Sequence, residues 1–140
     1  MEVTGLRSEV YREMSNPLQG RTVLIVDDAT IIRLMLKKMF EKNGLTIVGE
    51  AEDGEEAVKL FQTMNPDFVT MDITMPIMDG ITATKQIVLN NPSAKIIMVS
   101  ALGQESKVRE AIAAGARDFI VKPLKEDRLI SSVRRVLIEP

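Results

Sequence analysis

From Thr22 onward the chain alternates short apolar runs with longer stretches of helical spacing. The runs fall at Thr22–Val26, Thr46–Gly49, Phe68–Met71, Lys95–Val99 and Asp118–Val121. Each is almost continuously apolar, as expected of strands covered on both faces of a parallel sheet. Between the first two runs, Ile32, Met35, Leu36, Met39 and Phe40 repeat at i, i+3, i+4, i+7 and i+8, which marks one buried helical face. Ala57, Leu60, Phe61 and Met64 do the same, as do Leu129, Val133, Val136 and Leu137. Asn43-Gly44 closes the first helix with residues suited to a left-handed cap, and Gly115 plays that part before the fifth run. Asn91-Pro92 ends the third helix. Five strands alternating with five helices, joined by right-handed crossovers, predict an α/β fold with a doubly wound five-stranded parallel sheet.

Residues 1 to 20 lack this beat. They end in the turn formers Ser15-Asn16-Pro17-Leu18-Gln19-Gly20 and read as an N-terminal extension outside the main core, with the domain proper at 21–140. The length, 140 residues, suits one domain, and 45% hydrophobic with 27% charged residues argues against disorder. No apolar run approaches the ~18 residues of a membrane span. Glu2, Arg7, Glu9, Arg12 and Glu13 interrupt the region where a secretory signal would need an apolar block. The expectation is a cytoplasmic protein without membrane insertion. Lys and Arg are scattered over a net charge of −2, so no general affinity for nucleic acid is expected. Of the nine methionines, Met35, Met39, Met64, Met71 and Met98 fall on predicted core faces, where a thioether fills space.

The chain contains no cysteine and no histidine, which removes disulfides, thiolate or imidazole metal sites and histidine-based catalysis. Any chemistry must use carboxylates, hydroxyls or lysines. In an open parallel sheet the ligand site lies beyond the carboxyl ends of the strands. The first strand ends there in Asp27-Asp28, the third in Asp72, the fourth in Ser100 and the fifth in Lys122. Glu50 ends the second, at the margin of the sheet. Taken singly these residues are unremarkable. Asp27-Asp28 could be a turn and cap, Ser100 a strand-end hydroxyl and Lys122 a surface lysine. Asp79-Gly80 reads as a turn and helix start without chemistry.

Their shared register is what points to a site. Two unit charges ~4 Å apart repel by roughly 4 kcal/mol at an effective dielectric near 20. Lys122 neutralises one of the three carboxylates, and a hard divalent cation, Mg²⁺ or Mn²⁺, suits the all-oxygen remainder. A metal, a carboxylate nucleophile, a lysine and a hydroxyl make a phosphoryl-transfer site.

The segments Val23-Leu-Ile-Val-Asp-Asp28, Met71-Asp-Ile-Thr-Met-Pro76, Met78-Asp-Gly80, Val99-Ser-Ala101 and Val121-Lys-Pro123 occur in this order. Over about residues 20–138 the chain resembles the receiver domain of two-component response regulators. Within that family the stretches Met71–Gly80, Ile96–Gly103 and Ala113–Pro123 are most similar to the single-domain chemotaxis regulators of bacteria, the CheY group. The N-terminal extension departs from that group's minimal pattern.

The resemblance implies a flavodoxin-like strand order 2-1-3-4-5, which periodicity does not supply. It implies that Asp72 accepts a phosphoryl group from a histidine kinase of the CheA type. Asp28, Asp72 and the backbone carbonyl of Thr74 would ligate Mg²⁺ directly, with Asp27 acting through metal-bound water. Lys122 would pair with the phosphoryl group, ahead of a cis bond to Pro123. Ser100 and Phe119 would be the switch residues, while Thr74 and Leu102 sit where the family tunes phosphate lifetime.

The implied function is a signalling switch, whose only catalysis is its own phosphorylation and dephosphorylation. A flagellar motor switch protein is the implied target, and a phosphatase a further partner. A phosphorelay intermediate or a receiver acting on a non-flagellar target is the alternative. With eighteen residues after Lys122, room for the last helix only, no output domain is expected to follow. Three other phosphate-handling folds fit less well. A haloacid-dehalogenase-type phosphatase needs an acid where Thr74 stands, and a flavodoxin phosphate would meet Asp27-Asp28. A P-loop needs G-x-x-x-x-G-K-[ST], which the chain lacks.

Overall fold

Strands β1 (Thr22–Val26), β2 (Thr46–Ala51), β3 (Phe68–Asp72), β4 (Ile96–Ser100) and β5 (Asp118–Val121) form one sheet in the computed structural model, which describes residues 16–139. All neighbours are parallel, in the order β2-β1-β3-β4-β5, as the resemblance implied. Helices α1 (Thr30–Lys42), α2 (Gly54–Met64), α3 (Gly80–Asn90), α4 (Glu105–Ala113) and α5 (Glu126–Leu137) make the crossovers. No helix among the described residues is long and apolar enough to cross a membrane.

Alternation along the strands splits the core in two. Leu24, Val26, Val69, Met71, Ile96 and Met98 pack under α2, α3 and α4, against Ala57, Phe61, Ala83, Ile87, Val108 and Ala111. Val23, Ile25, Phe68, Ile97, Val99 and Ile120 face the opposite way, toward Leu36 and Phe40 of α1 and Leu129, Val133 and Leu137 of α5. Phe40 meets Phe68 edge-on, with ring centroids 5.6 Å apart. Only β3 and β4 are buried along their whole length; the edge strands β2 and β5 are partly open. Met71 and Met98 are core residues as expected, and Met35 and Met39 pack against the core from α1. Met64 is different. It sits in the last turn of α2 and is 40% exposed, because the buried stripe of that helix stops at Phe61.

Part of the expected N-terminal extension packs on the core. Leu18 is fully buried in the α1/α5 layer, with its amide bonded to Asn16 Oδ1 at 3.2 Å. The Gly20 amide donates to the Gly44 carbonyl at 2.8 Å. Residues 16–20 therefore belong to the folded unit, and the earlier part of the expected extension, residues 1–15, lies outside the described residues. One leucine in a run of turn formers has no periodicity to announce it.

Thr70, in the middle of β3, is fully buried, and its hydroxyl has no hydrogen-bond partner among the described residues. Thr70→Val keeps the shape and removes the orphaned group, so it is expected to stabilise the fold by about 1 kcal/mol. Urea midpoints of the two proteins check this; a lower midpoint for the variant would mean that the hydroxyl is satisfied in solution.

Candidate acidic site at the carboxyl edge of the sheet

The loops that follow β1, β3, β4 and β5 meet at one edge, and their first residues carry the polar groups. Asp27 is fully buried, and one of its oxygens, Oδ1, accepts the Ala29 amide at 2.8 Å to turn the chain into α1. This is a local turn ahead of α1, whose N-cap Ala29 has no side-chain cap, and it uses only one oxygen. Asp27 Oδ2 is buried and accepts no hydrogen bond among the described residues. Lys122 Nζ stands 3.2 Å from it as an ion pair, outside hydrogen-bonding geometry, and 3.6 Å from Asp72 Oδ1. Asp28 is exposed at the rim. Carboxylate oxygens of Asp27, Asp28 and Asp72 lie within 4.8 Å of one another.

This crowding shows in the chemistry of Asp72. Burial, then the neighbouring Asp27 charge, push its carboxyl up to about 6; Lys122 opposes them, Asp28 adds to them, and the Ile73 amide opposes them weakly. One ammonium against three carboxylates leaves two negative charges in a half-buried space. The donor set is all oxygen, and it includes a buried carboxylate oxygen with no hydrogen bond. It fits a hard divalent cation.

Ser100 is buried, and its hydroxyl leans toward the Ile120 carbonyl of β5 at 3.5 Å, a long bond that points toward β5 and is easily given up. Phe119 is 38% exposed. It lines a cavity of about 310 Å³ between α4 and β5, together with Ser100, Leu102, Gln104, Val108 and Val121. Thr74 lies exposed in the β3–α3 loop, and Leu102 is exposed beside Ser100. Lys122–Pro123 is a cis peptide, as the resemblance implied. The edge thus gathers Asp27, Asp28, Asp72, Ser100 and Lys122, with Thr74 and Phe119 in the adjoining loop and cavity. Asp79 is the N-cap of α3, accepting the Thr82 amide at 2.7 Å, which is the role expected of it.

Three supporting features were not read from the sequence. Arg33 Nη1 donates to the Asp27 carbonyl at 2.7 Å, while its other nitrogens pair with Glu50 and Glu52. Glu50 at the sheet margin is therefore a counterion. Gly54 and Gly80 let the starts of α2 and α3 close on the β3–α3 loop: a Cβ on Gly80 would stand 1.9 Å from the Asp72 carbonyl oxygen. Gln104 bridges two loops, with its amide bonded to Thr74 Oγ1 and its oxygen to the Ala101 amide. The helical spacing of Arg33 from Thr30 offered a hint for the first; contacts across distant loops leave no period in the sequence.

Ile77 in the same loop has φ 69° and is 77% exposed. A β-branched residue there is strained, so Ile77→Asn is expected to raise stability by about 1 kcal/mol. Thermal unfolding reports it; a drop in the midpoint would show that the isoleucine makes contacts that outweigh the strain.

Beyond the hydroxyl and cavity, β5 is tied to α5. Asp118 accepts from Ser132 Oγ at 2.7 Å and Arg135 Nη2 at 2.6 Å. Burial pushes the Asp118 carboxyl up, but the Ser132, Arg135 and Phe119 bonds outweigh it and hold the group below its ordinary value. α5 carries five buried residues, Leu129, Ile130, Ser132, Val133 and Leu137, whereas α4 carries two, Val108 and Ala111.

The sequence matches the family described as response regulator receiver domain over residues 23–134. The chemotaxis protein CheY of Bacillus subtilis is 53% identical over 115 residues, 82% of this chain and 96% of that protein. That of Thermotoga maritima is 52% identical over 117 residues, 84% and 98% of the two chains. Among solved structures, a CheX–CheY–BeF3–Mg complex from Borrelia burgdorferi superposes with a TM-score of 0.81 at 42% identity, covering 86% of this chain and 91% of that one. With that fold and this acidic edge, the chain belongs to the response regulator receiver domains and is similar in sequence to the chemotaxis proteins CheY.

Proposed function

We propose that the chain is a chemotaxis-type switch in which Asp72 accepts a phosphoryl group from a phosphohistidine of a CheA-like kinase. The observation that carries this reading is the meeting of the buried Asp72 carboxylate with Lys122, Asp27 and Asp28 at one sheet edge. An Asp72 oxygen attacks phosphorus, the P–N bond breaks, and the imidazole leaves with the bonding pair. The product is an acyl phosphate on Asp72; attack of water on phosphorus restores the carboxylate. Asp28, Asp72 and the Thr74 carbonyl would hold Mg²⁺ directly, and Asp27 would do so through water. Bound there, the ion neutralises charge on the transferring oxygens. Lys122 pairs with one phosphoryl oxygen from its place between Asp27 and Asp72.

Phosphorylation adds about one negative charge and strong acceptor oxygens. Ser100 turns its hydroxyl from Ile120 toward them, and Phe119 moves into the cavity beside it. The surface of α4, β5 and α5 then changes its affinity for a flagellar motor switch protein, and a phosphatase partner speeds the reset. The coupling is reciprocal: a partner that prefers the switched face also favours phosphorylation. Its place of action is cytoplasmic. The working unit runs from Asn16 onward.

Intact-protein mass after treatment with acetyl phosphate and Mg²⁺ tests the assignment. One phosphoryl group is expected on the wild type, none on Asp72→Ala and none after Mg²⁺ is chelated. Labelling of the variant at another carboxylate would sink it. Affinity for a motor-switch peptide with and without beryllofluoride then tests the target; equal affinities would point to a phosphorelay or another output.

A further inference from the structure

Gln104 occupies the N-cap position of α4, yet its side chain makes no capping bond. Its carboxamide reaches away from the helix instead. Oε1 accepts the Ala101 amide at 2.7 Å, and Nε2 donates to Thr74 Oγ1 at 3.1 Å. The first bond alone would be an ordinary local turn. The second crosses thirty positions of sequence and ties the β4–α4 loop to the β3–α3 loop. The tie begins one residue after Ser100 and ends two residues after Asp72.

Resting on the reading of Asp72 as phosphoacceptor, we infer that Gln104 is a positioning residue, a strap that holds the site in its resting arrangement. Ser100 now leans toward Ile120. Ala101, the next residue, is tethered through Gln104 to the loop that holds Thr74, so any backbone shift that brings Ser100 closer to Asp72 pulls against the strap. The Ala101 amide, the next donor after the Ser100 hydroxyl, is also committed to Gln104 and cannot serve a phosphoryl oxygen until the strap lets go. Gln104 lines the cavity beside Phe119, so its release opens the space where the switch residues rearrange. On this inference the two Gln104 bonds belong to the resting form and are given up on phosphorylation.

The test uses the full chain and beryllofluoride with Mg²⁺. Gln104→Met keeps the length of the side chain and removes both polar ends. Losing one or two neutral hydrogen bonds that exist only in the resting form is expected to tighten beryllofluoride binding by about three- to tenfold. Thr74→Val cuts the strap at its other end and is expected to tighten binding in the same direction. The double variant should bind no tighter than Gln104→Met, because both changes break one strap. Hydrogen exchange at the Ala101 amide, slow in the resting wild type, should become fast in Gln104→Met. Equal or weaker beryllofluoride binding by Gln104→Met, or unchanged exchange at Ala101, overturns the strap while leaving the acidic site intact. Failure of the wild type itself to bind beryllofluoride overturns the strap and the phosphoacceptor reading together.

Discussion

Gly80→Ala is expected to cost about 3–5 kcal/mol, a large part of the net stability of a domain this size. The reason is geometric. A Cβ at position 80 would lie 1.9 Å from the Asp72 carbonyl oxygen, 2.9 Å from its carbon and 3.0 Å from Met71 Cγ. Two of those three atoms are backbone, so no rotamer change makes room. The Gly80 amide also donates to the Ile73 carbonyl at 2.8 Å, which fixes the start of α3 against the end of β3. Relief requires α3 to move outward or the Asp72 peptide to move inward. The first strains the Gly80–Ile73 hydrogen bond, and the second shifts Asp72 relative to Lys122. Denaturant unfolding should show the loss of stability, and phosphoryl uptake from acetyl phosphate should fall even under conditions where the variant remains folded. A loss below 1 kcal/mol would show that the loop is far more compliant than the packing implies.

Asp72→Asn should do the opposite in metal-free solution. The folded-state carboxyl is raised from 3.8 to about 6 by burial and by Asp27. For an acid raised in this way, the folded protein binds its proton more tightly than the unfolded chain does. The stabilisation is complete below about pH 4 and is lost as pH rises through about 6. Above that, the ionised carboxylate costs the fold about 3 kcal/mol, which asparagine avoids. At pH 8 without divalent ions, the variant should melt roughly 10 °C above the wild type, and the gap should close on acidification to pH 4. Mg²⁺ should raise the melting temperature of the wild type more than that of the variant. Equal melting temperatures at pH 8 would show that burial and the Asp27 charge do not raise the Asp72 carboxyl in solution.

Much of this was legible in the residues, for identifiable reasons. Thr22–Val26 and Asp118–Val121 were bounded correctly because apolar runs stop abruptly at polar residues on both sides. β3 reaches one residue further than its apolar run, to Asp72, and β4 is shifted by one, starting at Ile96 instead of Lys95 and ending at Ser100, because these polar end residues still belong to the ladder at the edge where the site begins. β2 extends through Glu50 to Ala51 since Glu50 is on an open edge strand and is paired with Arg33. The convergence of Asp27, Asp28, Asp72, Ser100 and Lys122 followed from strand ends alone, because parallel strands bring all their carboxyl ends to one side. Leu18, Gln104 and the tight packing of Gly80 were not legible. Each depends on a contact between segments whose separation in sequence has no period, and a single residue carries each one.

The unequal anchoring of α4 and α5 bears on how any partner can read the face they share with β5. α5 is fastened by five buried residues and by Asp118, whereas α4 rests on Val108 and Ala111 beside a cavity. Local opening of α4 is therefore the less expensive motion. A surface built this way has a fixed jaw and an adjustable jaw. In the proposed switch the fixed one would set docking orientation in both states and contribute affinity that does not discriminate between them. Discrimination would come from the adjustable one together with Phe119 of β5 beside it. Evolution could therefore change what docks by altering α5, and how strongly phosphorylation matters by altering α4, with little interference between the two.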